Sequence, residues 1–311
     1  MATFVLYNYR FEKLPQDGAD IFENVLKPVN PDESFEKRQE IFGNIFKDDF
    51  SGTKKIVIEN RKKRILSHRQ LVDPKEEVYV LQIQNQRAHT VEKIDYNKEK
   101  DFEYPSVHVI FDNRDGVQRL AIQKRRKAFT DVKSVAFFLL NALNKILKRY
   151  GLVVFFDQQL DCQTFWQIAN DRKKYPKGFR KIHFYLPPLN IKRQEAVVVN
   201  MVNWARGSYG SSFDWGVEAP DGGSLTINDK DEGQVRVIKV MSEQFGGEKS
   251  IKLVPNGTSN KAVWVGKNNF VLDSIEDEIL SRLAGNGESE LFQDDLDALS
   301  LVKIFMKRKI E

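Results

Sequence analysis

Cysteine is almost missing from this sequence: Cys162 is the only one in 311 residues. A single thiol excludes an internal disulfide framework and any cysteine-built zinc site, and it suits a reducing compartment. No stretch approaches the roughly 18 uninterrupted apolar residues of a membrane span. The opening "MATFVLYNYRFEK" lacks a basic region followed by an apolar run and a cleavage site, so the chain is expected in the cytoplasm. Histidine is scarce too. His68, His89, His108 and His183 are scattered, and no two have the spacing of a helical metal pair. Neither glycine-rich phosphate cradle, the P-loop or the dinucleotide fingerprint, opens a helix after a strand. There is no internal repeat and no low-complexity tract. These absences leave no resident metal, no cofactor and no catalytic residue to name.

What is present is apolar bulk and charge. The apolar fraction is 41% with 22 Phe, enough to bury a substantial core. Charged residues make up 30% of the chain, and 49 basic side chains against 44 acidic ones leave a formal charge of +5. That balance favours an anionic partner.

The pattern along the chain predicts an α+β fold: a largely antiparallel sheet packed around a long buried helix, with an N-terminal helical cap and a C-terminal α+β portion. Residues 1–50 give an opening strand and short helices broken by Pro28 and Pro31, with Phe35, Ile41, Phe42, Ile45 and Phe46 on one face. Residues 51–190 read as the core domain. Its clearest element is a hairpin, "SVHVIFD" and "VQRLAIQKR", joined by Asn113-Arg114-Asp115-Gly116, where Gly116 supplies the positive φ that a reversal needs. Thr130-Asp131 then caps the apolar helix "VKSVAFFLLNALNKILKRYG", and Gly151 stops it. Further strands are expected at "LVVFF" and "KIHFYLPP", with a short helix at "TFWQIAN". Residues 191–311 carry a helix at "RQEAVVVNMVNWAR", strands around "FDWGVEA", "SLTIN", "SIKLV" and "AVWVG", and two terminal helices after Asp273.

The feature that asks for a function is "QRLAIQKRRKAFTD", where a strand runs into Lys124-Arg125-Arg126-Lys127 just before an apolar helix. Four like charges oppose packing unless they face outward. Arg61-Lys62-Lys63-Arg64 forms a second block, and Arg119, Gln123 and Arg125 share the strand face opposite Leu120 and Ile122. That face is expected in solvent as a cationic strip able to track phosphates. A third basic stretch holds Lys173, Lys174, Lys177, Arg180 and Lys181 around Tyr175 and Phe179, and aromatics among cations can stack on unpaired bases. Backbone contact to a polyanion is the favoured role of these blocks, with Arg61, Lys62, Lys63, Arg64, Arg119, Lys124, Arg125, Arg126, Lys127, Lys173 and Lys174 as its residues.

The layout from Tyr104 to Leu186 resembles the RexA and KwaB-like phage-exclusion and phage-defence proteins. The resemblance lies in "YPSVHVIFD", its partner "QRLAIQKR", the "KAFTD" lead into a helix, and the strands "LVVFFDQQL" and "IHFYLPP". It implies a cytoplasmic, self-associating protein that binds double-stranded DNA through its backbone in antiphage defence, often beside a membrane-protein partner. It transfers no binding residue. Two other classes stay open: a metal-dependent nuclease assembled from distant acids such as Asp112 and Asp157, and an interaction subunit whose terminal helices, Ser274 to Leu283 and Leu291 to Lys309, pair between chains.

Overall fold

A computed structural model describes residues 1–14, 30–50, 53–58, 64–70, 77–92, 94, 98–186, 213–243, 247, 249–257, 261–266, 272–276, 279–280, 283 and 293–307. The fold is α+β with antiparallel sheets. The chain divides into two compact units that are discontinuous in sequence: one of residues 1–5, 9–156 and 273–311, the other of residues 6–8 and 157–272.

In the first unit the strands are β1 (Ala2–Lys13), β2 (Thr53–Ile58), β3 (Arg64–Gln70), β4 (Val78–Gln84), β5 (Arg87–Glu92), β6 (Lys98–Glu103), β7 (Ser106–Asp112), β8 (Arg119–Gln123), β9 (Leu152–Gln158) and β14 (Leu272–Ile275). The main sheet runs β14-β1-β8-β7-β4-β3-β2, with β9 also on β1. Helices α1 (Pro31–Glu36), α2 (Arg38–Asp48), α3 (Val132–Leu147) and α6 (Gln293–Lys307) accompany it. Helix α3 lies against both β8 and β2, which three strands separate in the sheet, so the sheet curls around it.

Strand parity decides the faces. Tyr79, Leu81 and Ile83 of β4 pair with Phe111, Val109 and Val107 of β7 on one face. Helix α2 covers that face: Phe46 stacks on Tyr79 at 4.3 Å and meets Phe111 at 4.9 Å, and Phe42 meets Tyr9 and Phe11 at 5.1 and 5.2 Å. The helical region expected as a peripheral cap is therefore core, because Phe42, Ile45 and Phe46 recur at helical spacing and are fully buried. Gly43 lets the helix approach; a Cβ there would stand 2.9 Å from the Tyr79 hydroxyl. Helix α6 packs Phe305 against Phe4.

The local signals of the long apolar segment hold. The Asp131 carboxylate accepts from the Lys133 N–H as N-cap, and a short 3-10 turn ends at Gly151, whose φ is 66°. The helix itself buries one face only. Val135, Phe138, Leu139, Leu143 and Leu147 are inside, whereas Lys133, Phe137, Asn141 and Lys145, four apart, are exposed. The expectation of a long buried helix is corrected to this extent: its outer stripe is in solvent although it includes the apolar Phe137.

The second unit holds α4 (Cys162–Ala169), β10 (Phe179–Leu186), β11 (Phe213–Glu218), α5 (Glu232–Glu243), β12 (Ile251–Pro255) and β13 (Val263–Trp264), with the sheet ordered β11-β10-β12-β13. Phe165 and Trp166 of α4 and Ile238 and Met241 of α5 join Ile182, Phe184, Ile251 and Leu253 in one core. Residues 224–228, expected as a strand, lie outside the ladder; the Leu225 N–H donates to the Phe179 carbonyl and the Ser224 hydroxyl to the Lys177 carbonyl, while Gln234 accepts from the Asn228 N–H and donates to the Thr226 carbonyl. The segment after Asp273 opens as strand β14 rather than helix. The helix expected at "RQEAVVVNMVNWAR" lies outside the described residues.

Candidate nucleic-acid interface

The cationic seam between β8 and α3 is exposed along its whole length. Lys124, Arg125, Arg126 and Lys127 all face solvent, while Ala128 and Phe129 immediately after them are buried. The backbone is nevertheless fixed. The Lys124 N–H bonds the Thr3 carbonyl at 2.7 Å, the Ala128 and Phe129 N–H groups return to the Arg125 carbonyl at 2.9 and 3.0 Å, and buried Asn85 donates its amide to the Ala128 carbonyl at 2.7 Å. Arg125 donates to the Ser106 carbonyl at 3.0 Å, and Lys127 pairs with Glu103 at 3.1 Å with both partners exposed. A turn with a fixed backbone and projecting long cations neutralises an external anion without first having to order its main chain.

Beside the seam stands an element that the sequence reading missed. Strands β5 and β6 form a separate two-stranded sheet whose residues are almost all exposed. Its partners keep the register of the ladder below it: Val78↔Asp112 through Gln84↔Ser106 in β4 and β7, then Arg87↔Glu103 through Glu92↔Lys98. The bond from the Asn85 N–H to the Pro105 carbonyl bridges the junction. The arm is thus one hairpin continued beyond the sheet. Arg87 ties its root to the seam by a 3.1 Å bond to the Arg126 carbonyl. No hydrophobic period marks residues 87–103, because both faces of the arm meet water; the only sequence signal was the alternation of charge in Lys98-Glu99-Lys100-Asp101.

The solvent-facing strip expected on β8 is corrected. Arg119 is only 4% exposed, and its guanidinium donates to the Met306 carbonyl at 2.8 Å, holding the C-terminal end of α6. Its strand face is covered by that helix, a long-range contact invisible to local alternation. Gln123 is half-buried and bonded to His108, with His108 Nδ1 and Gln123 Oε1 at 3.0 Å, which gives that histidine a structural partner. Arg61, Lys62 and Lys63 lie outside the described residues. Arg64 opens β3, and its side chain is likewise outside them. In the second unit Lys173 and Lys174 are exposed in the turn between α4 and β10, with the Lys174 ammonium 5.4 Å from the Tyr175 ring centre. Tyr175 packs on Phe179 at 4.8 Å and Phe179 is buried, which removes the latter as a base-stacking group.

Candidate catalytic groups fare worse. Asp112 is fully buried and its carboxylate is held by Arg114 through bonds of 2.9 Å from Nε and 2.6 Å from Nη2. That hydrogen bonding raises the Arg114 pKa, and Arg114 also donates to the Lys303 carbonyl at 3.1 Å. A carboxylate clamped this way is a strut for the hairpin and α6, with its ion-binding edge already occupied. Asp157 belongs to the other unit. Among the described residues no group of three or more His, Cys, Asp or Glu side chains is placed to hold a metal ion. Burial, with Glu243 and Asp161 nearby, pushes the Cys162 thiol up, away from thiolate chemistry. No described helix is long and apolar enough to cross a membrane.

A scan against protein-family models and a search of curated proteins found no match to this chain.

Proposed function

We propose that this chain is a sequence-nonspecific DNA-binding protein that contacts the phosphate backbone of double-stranded DNA through the Lys124–Lys127 seam. One observation carries the reading: four consecutive cations project from a turn whose main chain is pinned at Thr3, Asn85 and Arg125. Such contacts fix position on a duplex and carry no base information. The setting in antiphage defence, and any membrane-protein partner, rest on the resemblance of residues 104–186 alone. Replacing Lys124, Arg125 and Arg126 together by Glu abolishes duplex binding in a gel shift if the reading is right; unchanged affinity ends it. In the native chain log affinity falls against log salt with a slope near ~0.9 per phosphate neutralised.

Self-association is a second reading, favoured by α6. That helix buries Leu299, Val302, Phe305 and Met306 on one side and still exposes Leu301 and Ile304 on the other. Sedimentation of Leu301→Asp/Ile304→Asp against the native chain tests it: a dimer in the native chain alone supports the reading, and equal masses overturn it.

A further inference from the structure

The arm built by β5 and β6 has two unlike faces, and the seam meets only one of them. Arg87, His89 and Val91 share a face with Glu103, Asp101 and Glu99. Arg87 reaches the Arg126 carbonyl and Glu103 pairs with Lys127, so this acidic face is the one turned to the seam. The opposite face carries Ala88, Thr90 and Glu92 on β5 with Phe102, Lys100 and Lys98 on β6. Tyr104 follows Phe102 at the same parity, its hydroxyl accepting from the Gln86 amide at 3.3 Å. Lys98, Lys100, Phe102 and Tyr104 thus stand at every second position and form one line along the chain. Phe102 is 48% exposed and Tyr104 56%. Across the ladder from Phe102 is Ala88, a side chain too small to cover a phenyl ring. Among the described residues no ring packs on Phe102 or Tyr104, and no carboxylate pairs with Lys98 or Lys100.

We infer that this line binds an unpaired nucleic-acid strand, its bases stacked on Phe102 and Tyr104 and its phosphates against Lys98 and Lys100. The composition selects the ligand. Protein interfaces favour aromatic residues but are depleted in lysine, and a second copy of the arm would set lysine against lysine. A duplex keeps its base faces stacked inside, where these rings have nothing to stack on. A single strand offers a π-face and a negative charge at every nucleotide, which two rings in line with two ammonium groups complement. Spacing agrees: positions two apart on a strand are ~6.6 Å apart, about twice the ~3.4 Å rise of stacked bases, so one base has room between the two rings. The inference goes beyond duplex binding at the seam and does not depend on it, because the ribbon stands between the two surfaces. The bond from the Asn85 N–H to the Pro105 carbonyl anchors the chain directly after Tyr104, so the strand that carries the rings is held at its root.

The test uses the full chain with short labelled oligothymidylate and oligouridylate, each carrying one 2-aminopurine whose emission is quenched when it stacks. The native chain binds at least one of the two and quenches the probe. Phe102→Ala/Tyr104→Ala weakens that binding about tenfold and abolishes the quenching, while Phe102→Tyr retains both. Lys98→Gln/Lys100→Gln keeps the quenching and lowers the salt slope by about 1.4, ~0.7 for each lost phosphate contact. Duplex affinity stays native in all these variants. The side chains are exposed, and unchanged melting confirms that folding is intact. No binding of either single strand, or native affinity and quenching in the ring variant, overturns the inference. Reversal of Lys124, Arg125 and Arg126 to Glu separates the two surfaces: loss of duplex binding with single-strand binding kept supports both. Loss of single-strand binding in that seam variant puts the strand on the seam and ends the assignment to the arm, whereas unchanged duplex affinity there ends the duplex reading and leaves the arm standing.

Discussion

Arg119 and Arg125 lie six residues apart and end in opposite circumstances, which shows how much a single side chain depends on what arrives from far away in the chain. Arg119 is sealed beneath α6 by its bond to Met306, while Arg125 stays outside and uses one nitrogen to brace the seam. Arg119→Ala removes a buried charged hydrogen bond and lowers stability by about 2 kcal/mol in urea unfolding, with duplex affinity unchanged. A fall in affinity with no loss of stability would return Arg119 to the interface. A second residue-scale effect concerns pH. Burial, reinforced by Glu77, pushes the Tyr79 hydroxyl up to about 12, and burial beside Asp112 raises Tyr9 well above its ordinary value. Both stay protonated in the folded chain, whereas an unfolded tyrosine ionises near ~10. Their contribution is complete below that pH and is lost as pH climbs through the window up to about 12. Urea midpoints measured across this window fall, and Tyr79→Phe makes the fall shallower.

At the scale of elements, the sequence was legible wherever the deciding interaction is local. Asp131, Gly116 and Gly151 act through their own backbone neighbourhoods, and each does what its residue type dictates. Asp131→Ala therefore costs about 1 kcal/mol, read as a lower melting temperature, since the Lys133 N–H loses its acceptor. The β7–β8 hairpin is antiparallel as expected, although its loop takes six residues, 113–118, with Gln118 at φ 44°. Elements set by distant partners were not legible. Helix α5 has only Ile238, Met241 and Ser242 buried, too sparse a period to stand out, and the arm has no buried face at all. Half of the candidate site was therefore visible as a run of charge, and the other half became visible only when Arg87 and Glu103 were found at its side.

For the molecule as a whole, the two compact units interleave along the chain, so neither corresponds to a continuous stretch that composition could mark. Distant segments complete the first unit: β14 extends its sheet beside β1, and α6 is fastened to β8 and the hairpin by Arg119 and Arg114. A chain ending near residue 272 therefore exposes Phe4 and frees two arginines from their carbonyl partners. Its folded state is lost or becomes molten, seen as dye binding to exposed apolar surface and loss of near-ultraviolet dichroism. Native-like dichroism in that truncated chain would show that the terminal segment is dispensable.

The alternation along β6 reaches further than its own fold. When two copies of one strand meet edge to edge about a two-fold axis, residues of equal parity fall opposite each other. For β6 this brings Glu99, Asp101 and Glu103 against acids and sets Lys98 and Lys100 among lysines and Phe102. Like charges so placed repel. The outer rim of the arm is thereby guarded against its own kind, which keeps a long wet ribbon from seeding a fibril.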